Sequence, residues 1–172
     1  MAEKTIRTAL CEMEEVMLEK LEAGGTVSFS PKGVSMLPML RDGGDSVTLK
    51  KPPAKLKRGT VALFVLTDVP EGRKFILHRY MRKEKGLLVF CGDNRVTCDP
   101  PVPYENVLGV VTEYVRSGRK HSLNEPWYKL YTAWMVLTPR IRRVSMRAER
   151  LIYRIWKRIS RRSKKQRTRR AP

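Results

Sequence analysis

The chain has 172 residues, 41% of them hydrophobic, with three cysteines, two histidines and a formal net charge of +19. This is enough apolar material for one domain with a proper core plus an appendage. An odd, sparse cysteine set argues against a disulfide scaffold, and two histidines away from any Cys cluster argue against zinc; no other metal or cofactor is expected.

The charge is unevenly placed. Residues 126–172 hold sixteen of the 36 basic side chains and, in Glu149, one of the 17 acidic ones. The basic block therefore seeks an anionic surface, while the rest has the balance of an ordinary folded domain.

In chain order, residues 4–22 read as a helix, with Leu10, Met13, Val16, Met17 and Leu21 at helical spacing and a stop at Gly24-Gly25. From Thr26 to about Arg116 the pattern becomes short β-prone runs: Val27–Ser30, Ser46–Leu49, Val61–Leu66, Phe75–Tyr80, Leu87–Cys91 and Val107–Val115. Turn residues separate them, including Asp42-Gly43-Gly44, Pro70-Glu71-Gly72 and Lys85-Gly86. Many strands behind one helix predict a mainly β, coiled antiparallel domain.

After Glu125 the helical period returns, with Pro139 dividing a short aromatic helix (127–138) from a longer basic one (140–161) and a disordered end. The expected division is an N-terminal helix over 1–25, a β domain over 26–120 and a basic helical tail over 121–172. No apolar run reaches the ~20 residues of a spanning helix. The acidic N-terminus is no signal peptide. The expectation is a cytoplasmic or peripheral-membrane protein.

Three stretches carry candidate chemistry. In Lys32-Gly33-Val34-Ser35-Met36-Leu37-Pro38, a Gly before and a Pro after the serine suit a hydroxyl displayed on a tight turn. His78, in Phe75-Ile76-Leu77-His78-Arg79-Tyr80, is the histidine placed to act as a base; His121 follows a basic turn and reads as surface. Asp93, in Gly92-Asp93-Asn94, and Asp99 are the two carboxylates available to orient an imidazole. Taken singly, each stretch is more ordinarily a loop, a packed strand histidine and a turn.

Together, and in this order, the stretches resemble the type I signal peptidases, whose domain is shared with LexA-like self-cleaving repressors. The serine box is Gly33-Val34-Ser35-Met36-Leu37-Pro38, followed by Gly44-Asp45. An R-G-D-like strand follows as Arg58-Gly59-Thr60-Val61-Ala62. The base box is His78-Arg79, as in the histidine branch of the family, and the last box is Gly92-Asp93-Asn94 with Asp99 beyond it. Val107-Leu108-Gly109-Val110-Val111 resembles the closing strand.

The resemblance spans about residues 27–116 and implies the following roles. Ser35 would be the nucleophile, His78 its base and Asp99 the orienting carboxylate, with Asp93 bracing the site. Met36 and Gly33 would line the substrate cleft. Gly33 stands where some bacterial members carry an oxyanion-binding hydroxyl, and Thr60 replaces an acid.

The implied activity is serine endopeptidase cleavage of a signal or leader peptide in a precursor protein, without cofactor. The family's usual membrane span is missing, so short anchorless bacterial members look most similar. The basic tail would reach an anionic membrane surface, and nucleic acid is disfavoured as a partner. The competing readings are a DNA-associated LexA-like regulator and a membrane-surface binding protein with a decayed protease site.

Overall fold

We describe residues 14–67 and 72–138 of a computed structural model of the chain. Met1–Leu137 form one compact unit and Thr138–Pro172 a second. In the first, a helix (α1, 14–22 among the described residues) precedes β1 (Val27–Phe29), β2 (Ser46–Lys50), β3 (Val61–Leu66), β4 (Lys74–Glu84) and β5 (Leu87–Cys91). A 3-10 turn at Tyr104–Asn106, β6 (Val107–Arg116), β7 (Arg119–Ser122) and α2 (Pro126–Leu137) follow.

The strands form one seven-stranded antiparallel sheet in the order β1-β2-β6-β3-β4-β5, with β7 pairing on β6. The molecule is therefore mainly β, as its sequence pattern implies.

Strand β3 carries side chains into both apolar clusters of the sheet. Its sequence VALFVL is apolar throughout and buried on both faces. Because side chains alternate along a strand, Val61, Leu63 and Val65 enter one cluster with Leu21, Leu49 and Tyr114, while Ala62, Phe64 and Leu66 enter another with Tyr80, Phe90 and Val107. Register shifts between Thr48/Leu49, Leu63/Phe64 and Tyr80/Arg82 mark bulges that bend the strands around this double core.

Both helices belong to this core. Leu21 of α1 is 1% exposed, and the helix ends on Gly24 at φ +78°, whose N–H donates to the Leu21 carbonyl.

β7 and α2 lie beyond residue 120 but inside the first unit, where Tyr128, Met135 and Val136 are buried. Pro126–Leu137 agrees with the short aromatic helix read from the sequence, while residues 4–13 and the basic helix over 140–161 fall outside the described residues.

Candidate active site

The turn that follows β1 presents Ser35. Gly33 takes φ +98°, open to glycine at little cost, and its N–H donates to Asp42 Oδ1 at 2.8 Å. The Leu40 N–H closes a turn onto the Met36 carbonyl at 2.9 Å. Met36, Met39 and Leu40 are buried in the core and anchor that turn, leaving Ser35 half-buried. Asp45, itself buried, braces the far end of the loop by accepting from the Arg41 N–H at 2.8 Å and from Arg41 Nη2 at 3.0 Å. Burial pushes the Asp45 carboxyl up, but Arg41 and the Arg41 and Ser117 N–H groups outweigh it and hold the pKa below the ordinary value.

Strand β4 supplies His78 and Arg79. Ala62 of β3 is registered with His78 and Val61 with Arg79, so the two adjacent β4 residues project to opposite faces. His78 is 2% exposed, and its Nδ1 lies 2.5 Å from Asp99 Oδ2. Asp99 is held in turn by its N–H donating to the Phe90 carbonyl at 2.9 Å.

Arg79, 0% exposed, meets Asp93 instead, donating from Nε to Oδ1 at 2.8 Å and from Nη2 to Oδ2 at 2.7 Å. Its Nη1 donates to the carbonyl of Gly59 and the hydroxyls of Tyr128 and Thr132, and the Tyr131 hydroxyl donates to Asp93 Oδ2 at 2.8 Å. Burial alone would lower the Arg79 pKa; the Asp93 carboxylate and its hydrogen bonds outweigh that and raise it. The two aspartates are thus separated by role: Asp99 touches the imidazole, and Asp93 neutralises the arginine beside it.

The loop after β5 joins these parts. Asn94 donates its N–H to the Ser35 carbonyl at 2.8 Å and its side-chain amide to the Val34 carbonyl at 3.1 Å. Gly92 sits between the Ser35 backbone and the His78 ring: a Cβ there would stand 2.7 Å from the Ser35 carbonyl oxygen and 2.9 Å from His78 Nε2. The serine turn and the imidazole thus flank one gap too narrow for a methyl group. Ser35, His78, Gly33 and Met36 line one cavity of about 280 Å³. No hydrogen bond links Ser35 Oγ to Nε2 among the described residues, a contact that often tightens only when substrate binds.

Arg79, Gly92, Asn94, Tyr128, Tyr131 and Thr132 carry parts of this arrangement that sequence reasoning did not assign. His121 is half-buried, stacking on Tyr114 with ring centroids 5.0 Å apart, which corrects its reading as plain surface. Among the described residues no group of three or more His, Cys, Asp or Glu side chains converges to hold a metal ion. Among the same residues no helix is long and apolar enough to cross a membrane.

No family model, curated protein or solved structure matches this chain.

Proposed function

We propose that the chain is a serine endopeptidase of the signal peptidase I type, with the coiled β fold of that family and of the LexA-like repressors, and that it cleaves a leader segment from a precursor protein. One observation carries the reading. An imidazole oriented through Nδ1 by a buried carboxylate turns its other nitrogen toward the gap beside Ser35, in a shared cavity.

The chemistry follows from that order. Neutral His78 accepts the Ser35 proton at Nε2 as Oγ bonds to the scissile carbonyl carbon, and Asp99 stabilises the imidazolium. The oxyanion of the tetrahedral intermediate takes hydrogen bonds from backbone donors, among them the Ser35 N–H. The C–N bond then breaks, the amine leaves with the proton from Nε2, and water repeats the sequence on the acyl-serine ester.

The substrate lies extended along β4. Residues Lys74–His78 pair with β3 on one edge, whereas β5 takes up the other edge only from Arg79 onward. That bare edge can receive a peptide strand beside the cavity.

The basic 126–172 segment would hold the enzyme at an anionic membrane surface. The exposed Trp127, Leu130, Trp134 and Leu137 along α2 suit an interfacial position. Nucleic acid is not the partner proposed.

The decisive test is labelling by a fluorophosphonate probe, followed by precursor cleavage. Ser35→Ala and His78→Ala should each abolish both while leaving the circular dichroism spectrum intact; labelling that survives Ser35→Ala sinks the proposal. Flotation with vesicles of phosphatidylcholine, with and without phosphatidylglycerol, tests the surface. Binding should need the anionic lipid and weaken with salt.

A further inference from the structure

The cavity beside Ser35 has an apolar floor, which includes Phe29, Met36, Leu63 and Phe75. Its remaining charged lining is all positive: Lys32, Lys74 and Arg95, with no carboxylate among the lining residues. None of these three cations has an ion-pair partner among the described residues. The nearby acids are engaged elsewhere. Asp99 holds His78, Asp93 holds Arg79, Asp42 accepts from the Gly33 N–H, and Glu14 pairs with Arg73.

Arg95 is the most telling of the three. Its Cγ would stand 3.0 Å from a Cβ placed on Gly92, the same point that lies 2.9 Å from His78 Nε2. Its aliphatic stem therefore folds against the nucleophile–base gap, and its side chain is exposed at the cavity. Lys32 adjoins the serine turn, and Lys74 begins the bare edge of β4.

We propose that this cleft selects a peptide carrying Asp or Glu side chains next to the segment it seats, with Arg95 as the principal specificity-determining residue. The inference rests on the cleft assigned above as a peptidase site and names its substrate class. The apolar floor takes small or apolar side chains, and the bare strand edge takes main-chain hydrogen bonds. The cationic rim takes carboxylates in charge-assisted contacts that a neutral peptide lacks and a basic peptide opposes.

The test uses three fluorescein-labelled, alanine-rich decapeptides that differ only in carrying Glu, Gln or Lys at the same flanking positions. Binding to the full-length Ser35→Ala chain is read by fluorescence anisotropy. Cleavage by the unsubstituted chain is read as kcat/KM. The Glu peptide should bind about tenfold tighter than the Gln peptide, with the Lys peptide weakest, and the order should flatten as salt is raised.

Arg95→Gln should remove most of the Glu preference, Lys32→Gln with Lys74→Gln should remove a smaller part, and Arg95→Glu should turn the preference toward Lys. Because the tail is itself basic, Arg161→Gln with Arg162→Gln and Lys164→Gln serves as the control and should leave the preference in place. Equal binding of the three peptides overturns the proposal. So does a preference that follows the tail variant rather than Arg95. Arg95-dependent selection without any cleavage would remove the peptidase reading and keep this one; cleavage indifferent to charge would do the reverse.

Discussion

The separation of the two aspartates makes a sharp prediction about Asp93. Alanine at this position removes both acceptors of the Arg79 fork and the acceptor of the Tyr131 hydroxyl. Breaking a buried ion pair from one side costs about 3–5 kcal/mol, because the remaining charge is left without its counterion. Arg79 keeps Gly59, Tyr128 and Thr132 as partners of Nη1, which places the cost near the lower figure, ~3 kcal/mol.

The half-buried Tyr131 hydroxyl adds about 1 kcal/mol. A loss of about 4 kcal/mol is a large share of the roughly 5–15 kcal/mol that stabilises a domain. At ~3–4 °C per kcal/mol for a unit of this size, Tm falls by roughly 12–16 °C.

The assay is urea and thermal unfolding of the full chain carrying Asp93→Ala, alongside Arg79→Met combined with Asp93→Leu. The apolar pair should recover much of the loss, since it leaves no charge stranded. An Asp93→Ala chain within about 1 kcal/mol of the parent would refute the reasoning, because it would mean that the buried arginine does not depend on its carboxylate.

Asp99→Asn should behave in the opposite way. Labelling of Ser35 by the fluorophosphonate should slow by about 10²-fold or more while Tm moves little, and a rate equal to the parent's would remove Asp99 from the site. Gly92→Ala drives a Cβ to 2.7 Å from the Ser35 carbonyl oxygen and 2.9 Å from His78 Nε2. It should suppress labelling in a chain that still unfolds cooperatively, and undiminished labelling would show that the gap is wider than described.

Asp45 supplies a pH dependence. Its native pKa is lowered, so its contribution is complete above the ordinary Asp range of about 4, where both states are ionised. The contribution is lost as pH falls through that range toward the native pKa, because the unfolded chain takes up the proton first. The stability gap between the parent and Asp45→Asn, measured by denaturation, should therefore narrow on acidification from neutral pH. A gap that stays constant to well below pH 4 would count against the Arg41–Asp45 contact.

The strand ladder was largely legible because apolar runs between turn residues are a local signal. Val61–Leu66 and Leu87–Cys91 have the same limits in sequence and structure. Two hairpins account for the main differences. Lys85 and Gly86 both take positive φ, as do Ser117 and Gly118, giving two-residue turns whose twist matches the strands they join.

The first hairpin carries β4 past Met81 to Glu84 through Arg82, Lys83 and Glu84, polar residues that no apolar pattern marks. The second creates β7 from Arg119–Ser122, a basic segment whose only reason to be a strand is its pairing with β6. The place of α2 was hidden for a related reason. Its tyrosines and Thr132 are recruited by Arg79, about fifty residues earlier in the chain, and no local pattern reports that.

Within the site, one available signal was left unused. His78 and Arg79 are neighbours on a strand and must point to opposite faces, so one carboxylate could not serve both. That alternation agrees with the two different partners the aspartates take.

The order of elements along the polypeptide has a consequence for biogenesis. Arg79 is made long before the helix that supplies two of its hydrogen-bond partners, and that helix ends the first unit at Leu137. A nascent chain that has exposed every strand but not yet this helix holds a guanidinium short of partners one residue from the imidazole. A product released early would therefore be a sheet in which Arg79 lacks the hydroxyls of Tyr128 and Thr132.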